Sequence, residues 1–462
     1  MSAETGARGR AERPPRGQAA ATVPGFRALT AGNIAGTPLW ERLPAELRES
    51  VLVVSQVLPF RTNGYVTELI DWGKVPDDPI YQLTFPQREM LDPADYRAMR
   101  DLMERRAAPP AIAELADRIR RRMNPQPGGQ LELNVPRLAG RSLSGLQHKY
   151  AETVLFFPSQ AQTCHAYCTY CFRWAQFVDL PDLRFSAGET EDLVSYLRVH
   201  REVTDVLITG GDPLIMSARL LRRYVEPLLA PDLEHVRSIR LGTKAPAYWP
   251  QRLVSDGDAD AVLRLLEEVV AAGRHLAVMA HFSHPVELST QLARQCIRRL
   301  RGAGAEIRLQ APVVRHVNDS AATWRELCSL SVQLGMVPYY MFVARDTGPR
   351  SYFELPLTEA HEIYAASCRQ LSGLARTLRG PIMSTTGGKV RVLGRASVAG
   401  REVFVLDFLQ ARDPGRVGCP FFAAMDPRAV WFDDLSPVAA ADVPFFDHAR
   451  SGGAGRAARE PG

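Results

Sequence analysis

Residues 154–171 read Val-Leu-Phe-Phe-Pro-Ser-Gln-Ala-Gln-Thr-Cys-His-Ala-Tyr-Cys-Thr-Tyr-Cys, a short apolar run followed by three cysteines. The apolar run has the length and composition of a buried β-strand. Cys164, Cys168 and Cys171 lie close together, whereas the other four of the seven cysteines are scattered singly along the chain. An odd number of cysteines with one tight cluster indicates a metal site in a reducing compartment and not a disulfide scaffold.

The cysteine spacing leaves three interpretations open. Three thiolates can hold three irons of a [4Fe–4S] cluster, which leaves the fourth iron free for a chelating ligand. A structural zinc site needs four nitrogen or sulfur ligands, and His165 is too close to Cys164 to complete a tetrahedron easily. A chance group of free thiols is the third interpretation. Spacing and position favour the open cluster.

The run Val154–Phe157 is the first of six apolar runs that alternate with amphipathic helices. The other five are Val206–Thr209, Ile239–Gly242, Leu276–Ala280, Ile307–Ala311 and Val337–Val343. Such alternation predicts βαβ units with right-handed crossovers and a parallel sheet. The fold class is therefore α/β, and six units predict a partial (βα)6 barrel or an open curved sheet. The active site is expected at the carboxyl ends of the strands.

Helical patterns flank this region on both sides. Pro44 opens one helix, Asp92-Pro93 caps another that Pro109-Pro110 ends, and Ile112–Arg122 forms a third. A helix at Glu359–Leu374 and a strand at Glu402–Phe408 follow the apolar runs. The expected organisation is a disordered tail (1–26), an N-terminal helical region (27–147), the barrel (148–348), a C-terminal extension that wraps it (349–448) and a second tail (449–462).

The composition is that of a globular protein. The chain has 462 residues, of which 46% are hydrophobic and 23% charged, with a net charge of +5. Most of the positive excess falls in the two expected tails, so no folded basic face for nucleic acid is expected. No apolar run approaches the roughly 18 residues of a membrane span. The first residues lack the apolar core of a secretory signal, so a cytoplasmic location is expected.

At this point the residues resemble a known superfamily. The pattern C-x3-C-x2-C after a first strand is similar to the signature of radical S-adenosylmethionine (SAM) enzymes. Leu207–Pro213, with Gly210, Gly211 and Asp212, resembles the Gly-Gly-acid segment of the second strand in that superfamily. The resemblance implies that SAM chelates the open iron, that Gly210–Asp212 contact its methionine part, and that one-electron reduction yields a 5′-deoxyadenosyl radical.

Seven further stretches resemble the lysine 2,3-aminomutase branch in particular. They are Glu68–Asp71, Asp77–Ile80, Gly145–Tyr150, Ile239–Pro246, His281–Pro285, Val317–Asp319 and Val337–Tyr340. The match spans about residues 55–395 in the right order. It implies three cofactors, namely a [4Fe–4S] cluster, SAM and pyridoxal 5′-phosphate (PLP), and a reductant such as flavodoxin or ferredoxin.

The same resemblance assigns His281 and Gln310 as SAM contacts. A competing interpretation is that His281 and His284 are hydrogen-bonded histidines at a strand end. Because residues three apart on a strand point to opposite faces, a metal shared by these two histidines is disfavoured.

Lys389, after Gly387-Gly388, stands where the family places the lysine that holds PLP as a Schiff base. Without that context, a lysine after two glycines is usually a solvated turn residue. Hydroxyls that suit a phosphate precede it at Ser384, Thr385 and Thr386. Lys149 is a weaker phosphate candidate, for which a surface salt bridge is the alternative.

Arg173 matches the family arginine that clamps the substrate carboxylate, and a guanidinium fork suits a planar carboxylate. The alternative is an exposed arginine on the cysteine loop.

The chain departs from the lysine-specific members in its substrate-binding positions. Where they hold the distal ammonium with two aspartates, this sequence has about Val343 and Ile382. Without those anions a buried ammonium would be uncompensated, so lysine is a poor substrate. Arg345 or Asp346 reads a different side chain, or either is simply a loop charge.

Two further positions differ from the family pattern. The family histidine inside the cysteine loop is Tyr170 here, and Cys419 stands without a second cysteine nearby. The lone cysteine argues against a zinc-stapled dimer, although a homo-oligomer remains possible.

The sequence therefore predicts a radical SAM, PLP-dependent isomerase that moves an amino group between adjacent carbons of an amino acid other than lysine. One rival is a radical SAM enzyme that dehydrates or epimerises a larger metabolite without PLP. The other is an iron–sulfur electron carrier or sensor, against which the missing fourth cysteine argues.

Overall fold

The computed structural model describes residues 25–124, 134–178, 185–188 and 190–451. Most of both expected tails lies outside these ranges. Phe26 nevertheless packs edge-on against Trp249, with ring centroids 5.1 Å apart. The last helix runs to Ser451. Packed structure therefore reaches a few residues into both expected tails.

The described part of the N-terminal region is helical, as expected. Its helices are α1 (Pro38–Arg42), α2 (Ala45–Val54), α3 (Gly64–Glu68), α4 (Pro79–Thr84), α5 (Pro93–Glu104) and α6 (Pro109–Met123). Pro44 immediately precedes α2, and the Asp92 carboxylate caps α5 by accepting from the Ala94 amide at 2.8 Å. Helix α5 ends at Glu104, before Pro109-Pro110, and α6 begins at Pro109, three residues before the predicted start at Ile112. Proline suits a first turn, whose amides have no intrahelical partner.

One sheet of eleven strands organises the rest of the described chain. Its strands are β5 (Leu146–Tyr150), β6 (Thr153–Phe156), β7 (Asp205–Ile208), β8 (Ser238–Thr243), β9 (His275–His281), β10 (Glu306–Val313), β11 (Val337–Val343), β12 (Arg379–Ser384), β13 (Gly388–Val398), β14 (Arg401–Ala411) and β15 (Pro420–Ala424). Strands β6 to β12 run parallel in sequence order. Antiparallel strands flank them, β5 at one edge and β13–β15 at the other. Short hairpins join β1 (Ala28–Leu29) to β2 (Thr62–Asn63) and β3 (Arg137–Leu138) to β4 (Arg141–Ser142).

The six strands expected from the sequence are present, and β12 adds a seventh parallel strand. Gly380 and Pro381 lie inside β12, and such residues are typical of turns. The glycine is required by close packing, since a Cβ at Gly380 would stand 2.5 Å from the Met341 carbonyl oxygen of β11. Gly380 makes this strand difficult to predict from the sequence, and it is also the residue that allows β12 to approach β11 closely.

The crossovers hold long helices, which the sequence predicts at Glu191–His200, Ala218–Leu229, Asp258–Ala272, Thr290–Gly302 and Ala321–Leu334, and short helices that it does not predict. These helices are α7 (Glu191–Val199), α8 (Ala218–Val225), α9 (Ala245–Tyr248), α10 (Gln251–Val254), α11 (Ala259–Ala271), α12 (Gln291–Gly302), α13 (Ala321–Gln333), α14 (Arg350–Phe353) and α15 (Leu357–Arg369). Helix α8 ends four residues earlier than expected, and a 3₁₀ turn at Glu226–Leu229 follows it. Pro227 within that turn cannot continue an α-helical hydrogen-bond ladder.

The two faces of the parallel sheet differ in chemistry. Alternate strand residues such as Val206, Ile239 and Leu309 are fully buried in the core that the helices cover. The intervening positions, including Arg240 and Gln310, keep partial exposure. Because side chains alternate along a strand, the second face is polar and reached by water.

Contacts across the second face show that the sheet is strongly curved. Lys149 on β5 donates hydrogen bonds to the carbonyls of Thr385 and Gly388, at the turn between β12 and β13. The Lys389 amine on β13 lies 5.0 Å from the Tyr150 ring centroid on β5. Since β5 and β13 stand eight places apart in the strand order, the sheet must curl to bring them together.

The C-terminal extension builds a second apolar core on β13–β15. This core includes Phe404, Phe408, Phe421 and Trp431. Helix α16 (Val443–Ser451) closes it and reaches back to the turn before Lys389, where the Gly387 amide donates to the Ala449 carbonyl at 3.0 Å. Among the described residues no helix is long and apolar enough to cross a membrane.

Candidate active site

The cysteine loop follows β6 and is held by the N-terminal region. The Arg61 guanidinium donates to the Thr163 hydroxyl at 2.7 Å and to the Cys164 carbonyl at 3.0 Å. The Asn63 amide donates to the carbonyls of His165 and Tyr248 at 3.1 and 3.0 Å. Residues of the N-terminal region thus fix the backbone on which the thiols stand.

The three predicted cysteines lie on one loop, each partly buried, and Cys164 is close enough to the other two thiols to be affected by their charges. Burial raises the pKa of the Cys171 thiol to about 12, and the neighbouring Cys168 raises it further. Burial also raises the pKa values of Cys164 and Cys168, and Cys164 is affected by both other thiols. The Tyr248 hydroxyl lies 3.0 Å from the Cys168 Sγ. Free thiolates would be costly here, whereas iron stabilises them, so the donor set fits a cluster.

The zinc interpretation gains no support from this arrangement. Within the described ranges, no three His, Cys, Asp or Glu side chains converge as the ligands of a single metal ion would. His165 packs edge-on against Phe26 at 5.2 Å, and burial lowers its pKa to about 3. The histidine next to Cys164 is therefore a neutral packing residue.

The Gly-Gly-Asp segment at the end of β7 lies directly against the residues that precede Cys164. The Gly211 amide donates to the Ala161 carbonyl at 2.8 Å, and the Asp212 amide donates to the Thr163 carbonyl at 2.8 Å. A Cβ on Gly211 would stand 2.3 Å from the Thr163 oxygen, and one on Gly210 would stand 2.5 Å from the side-chain amide of Gln162. Both glycines are thus needed for this close approach.

The Asp212 carboxylate is engaged in hydrogen bonds within the protein. It accepts from the Thr243 hydroxyl at 2.7 Å and from the amides of Lys244 and Leu214 at 2.8 and 2.9 Å. Burial raises its pKa. Any ligand contact of this segment therefore has to come from its backbone, as the sequence comparison implies.

A buried ion pair that the sequence analysis missed lies beneath the cysteine loop. The Lys244 amine is 2.6 Å from a Glu287 carboxylate oxygen, with side-chain exposures of 9% and 0%. The Lys244 amine also lies 4.6 Å from the Tyr248 ring centroid. Lys244 stands inside the quoted stretch Ile239–Pro246, but nothing in the sequence pairs it with Glu287.

His281 and Gln310, the two expected SAM contacts, are neighbours on β9 and β10. The Gln310 side-chain amide lies 2.8 Å from His281 Nε2. Burial lowers the pKa of His281 to about 3, and the charges of Lys244 and Arg173 add to this effect. His281 is thus a neutral ring beside two cations.

The other predicted histidine and the tyrosine of the cysteine loop have structural partners. His284 lies past the end of β9, where its Nδ1 accepts from the Val286 amide at 3.3 Å. The Tyr170 hydroxyl lies 2.7 Å from the Ser283 hydroxyl.

Arg173 stands between the cysteine loop and the sheet. Its guanidinium lies over the Phe157 and Phe172 rings, 4.3 and 5.1 Å from their centroids. Burial lowers its pKa to about 10, and nearby Arg345 lowers it further. With the described residues the guanidinium forms no hydrogen bond or ion pair, so its donors are available to an anion.

Lys389 reaches the polar face of the sheet. Its amine donates a hydrogen bond to the side-chain oxygen of Gln410 and lies 5.0 and 5.3 Å from the ring centroids of Tyr150 and Tyr340. Burial lowers its pKa to about 7, helped by the charges of Arg240 and Arg379. A substantial fraction of this amine is therefore unprotonated near neutral pH.

The chain has only four lysines, and the other three are occupied differently. Lys74 is exposed and pairs with Asp71, and Lys244 forms the buried ion pair with Glu287. Lys149 is not a surface residue, which corrects the salt-bridge alternative. Burial and the charge of Lys389 hold its pKa well below the ordinary value, and its amine braces the turn that precedes Lys389.

The structure also shows the surroundings of the positions at which this chain differs from the lysine-specific members. Val343 and Ile382 are buried and apolar. Arg345 lies 3.6 Å from the adjacent Asp346 carboxylate and 5.9 Å from the Phe172 ring centroid. Arg345 thus lies beside the same aromatic ring as Arg173.

No protein-family model matches the chain. A protein of Aquifex aeolicus named "Putative L-lysine 2,3-aminomutase" is 29% identical over 401 residues, which cover 87% of this chain and 94% of that protein. The L-lysine 2,3-aminomutase of Methanococcus maripaludis is 23% identical over 364 residues, or 79% of this chain and 72% of that enzyme. SuiB of Streptococcus suis aligns with 59% of this chain and 56% of its own at 12% identity, and its TM-score of 0.33 is too low to bear on the fold. Over most of its length this chain is thus similar to proteins named L-lysine 2,3-aminomutase, and this similarity supports the predicted resemblance to a divergent lysine 2,3-aminomutase-like radical SAM protein.

Proposed function

We propose that this chain is a radical SAM, PLP-dependent aminomutase that moves an amino group between adjacent carbons of an amino acid other than lysine. The observation that carries the proposal is the amine of Lys389, held on the polar face of the sheet with a pKa of about 7. A lysine that attaches a carbonyl cofactor must offer an unprotonated amine. Burial and the charges of Arg240 and Arg379 supply that property here, and they outweigh the opposite effect of Asp205.

Each implied cofactor has residues that fit it. Cys164, Cys168 and Cys171 would hold the [4Fe–4S] cluster, and Gly210–Asp212 with His281 and Gln310 would bind SAM. Lys389 would hold PLP. When bound, these groups supply a hydrogen-abstracting radical and a carbon–nitrogen framework that carries the migrating amine.

The chain itself has three tasks in this reaction. Lys389 would supply the unprotonated amine that holds PLP, and Gln410 orients that amine through their hydrogen bond. The rings of Tyr150 and Tyr340 shield the amine from water. Arg173, stacked on Phe157, would grip the substrate α-carboxylate.

The apolar positions argue against lysine as the preferred substrate. Val343 is 5% exposed and Ile382 is fully buried, so neither offers a charge to a distal ammonium. An ammonium buried without a counter-charge costs several kcal/mol.

We further propose that the curved sheet is a partial (βα)6 barrel of the radical SAM type, with the expected boundaries at residues 27, 148 and 349. The enzyme would be cytoplasmic, would take electrons from flavodoxin or ferredoxin, and would act on a small amino acid-like substrate, as a monomer or a homo-oligomer. Helices cover one face of the sheet and leave the other to ligands, as such a barrel requires.

The test is to locate the PLP. The protein is reconstituted anaerobically with iron and sulfide, loaded with PLP, treated with borohydride and digested for mass spectrometry. We expect the cofactor on the peptide that contains Lys389, no labelling in Lys389→Ala, and normal labelling in the surface control Lys74→Ala. Labelling of Lys149 instead would contradict the assignment.

The same preparation separates the rival functions. A cluster that cleaves SAM without any PLP attachment would favour another radical reaction on a larger metabolite. A cluster that is reduced but cleaves no SAM would favour an electron carrier or sensor. Exchange of an amino group between C2 and C3 of any amino acid would exclude both rivals.

A further inference from the structure

Arg345 is a partly buried cation with incomplete partners. One-quarter of its side chain is exposed, and its Nε is shielded from water without a hydrogen-bond acceptor. The Asp346 oxygen nearest to the guanidinium is 3.6 Å away, beyond hydrogen-bond distance. The guanidinium otherwise lies near the rings of Phe172 and Trp431, at 5.9 and 5.6 Å from their centroids. Its donors are therefore held in place but not fully used.

The surroundings of Arg345 carry an excess of positive charge. Its charge lowers the pKa values of both Arg173 and Lys149. The protonated form of Lys389 and the guanidinium of Arg412 also lower the pKa of Lys149. Among the described residues, the ion pairs of Arg345, Arg173 and Lys149 involve one carboxylate, that of Asp346. A partly buried group of like charges is stabilised by an anionic ligand.

The position of Arg345 relates it to the substrate. Its guanidinium and that of Arg173, the proposed clamp of the α-carboxylate, lie over the same Phe172 ring, 5.9 and 5.1 Å from its centroid. The amines of Lys149 and Lys389 likewise share the Tyr150 ring, at 5.3 and 5.0 Å. A ligand whose amine meets Lys389 and whose α-carboxylate meets Arg173 thus has its side chain within this cationic group. We propose that the substrate is an amino acid whose side chain ends in a carboxylate, and that Arg345 binds that carboxylate. This inference rests on the proposed function.

The charge balance distinguishes this substrate class from the others. A basic side chain would add a further cation beside Arg345 and Lys149. An apolar side chain would leave the guanidinium donors unused, and Val343 and Ile382, though apolar, are closed within the core. A side-chain carboxylate offers the planar acceptor that a guanidinium fork binds with two hydrogen bonds.

The test compares acids with their neutral amides. Binding of L-glutamate, L-glutamine, L-aspartate and L-asparagine to the cluster- and PLP-containing protein is measured by calorimetry. We expect at least one acid to bind about tenfold more tightly than its amide, since a charge-assisted pair is worth about 1.4 kcal/mol or more. Arg345→Gln should reduce that preference to within about twofold. The exposed Arg222→Gln, which removes a surface pair with Glu268, should retain it.

Two results would overturn the inference: equal binding of acid and amide by the native protein, or an unchanged acid preference in Arg345→Gln. A further arm separates this failure from that of the proposed function. Glutarate has no amine and cannot react with PLP, so its binding to Lys389→Ala protein reports the cationic group alone. If glutarate binding depends on Arg345 while no amino transfer is found for any amino acid, the acid site stands and the aminomutase proposal falls.

Discussion

Lys389 shows how neighbouring residues set the chemistry of a single amine. Burial is the main cause of its lowered pKa, and the charges of Arg240 and Arg379 are the next two. Arg240 is itself paired with Asp205 at 2.7 Å. Arg379 instead lies over the Tyr339 and Tyr340 rings. Of the two arginines, Arg379 is thus the cleaner one to remove.

The pH dependence of PLP attachment follows from this pKa. Attachment requires the unprotonated amine, so its rate should rise as the pH increases through about 7 and then level off. For a lysine with an ordinary pKa near 10.5, the rate of attachment would still be increasing above pH 7. Arg379→Gln removes a nearby positive charge and should move the midpoint to higher pH. Stopped-flow absorbance of PLP uptake measures both curves, and a midpoint that does not move would show that Arg379 has no electrostatic effect on this amine.

At the scale of elements, the junction between the end of β7 and the cysteine loop depends on Gly211. A methyl group there would lie 2.3 Å from the backbone oxygen of Thr163, so the loop must move. We expect Gly211→Ala to lower the free energy of unfolding by about 1–3 kcal/mol, as overpacking does, and to lower the iron content after reconstitution. Urea unfolding and iron analysis measure the two effects.

The matched control for this substitution is Gly257→Ala. Gly257 has open space around its Cβ direction, so the same substitution should leave both the stability and the iron content unchanged. If Gly211→Ala behaved like Gly257→Ala, the close packing of β7 on the cysteine loop would not be what orders the thiols.

Some of these secondary-structure elements could be predicted from the sequence, and others could not. The strands β6–β11 could be predicted because each is a short apolar run between amphipathic helices. Strand β12 could not, because Gly380 and Pro381 are typical of turns. The start of α6 at Pro109 was missed for a related reason, since proline both ends and begins helices.

The candidate site was predictable only where residues are close in sequence. The cysteines and the Gly-Gly-Asp segment are local motifs, and the structure brings both together. The pairing of Lys244 with Glu287 and the neighbourhood of Arg173 and Arg345 arise from chain segments far apart in sequence. Such contacts depend on the curvature of the sheet, which local periodicity does not encode.

At the scale of the whole molecule, Lys149 links the β5 edge of the curved sheet to the turn between β12 and β13. Its amine donates to the Thr385 and Gly388 carbonyls, and this turn carries Lys389 at its end. The other support of the turn comes from α16, where His448 Nε2 lies 3.1 Å from the Gly387 carbonyl. The position of Lys389 is therefore set from two sides, by β5 and by the C-terminal helix.

This arrangement predicts a local effect of Lys149→Met. The substitution keeps the unbranched apolar part of the side chain but removes the donor, so the Thr385 carbonyl loses a partner while α16 still holds Gly387. Hydrogen exchange at residues 384–389 should become faster, and the iron content should not change because the cysteine loop is fixed by Arg61 and Asn63. Lys74→Met, which removes an exposed lysine, should leave the exchange as it was. Unchanged exchange in Lys149→Met would mean that α16 alone positions Lys389, and faster exchange spread over the whole sheet would mean that the curvature itself depends on this one amine.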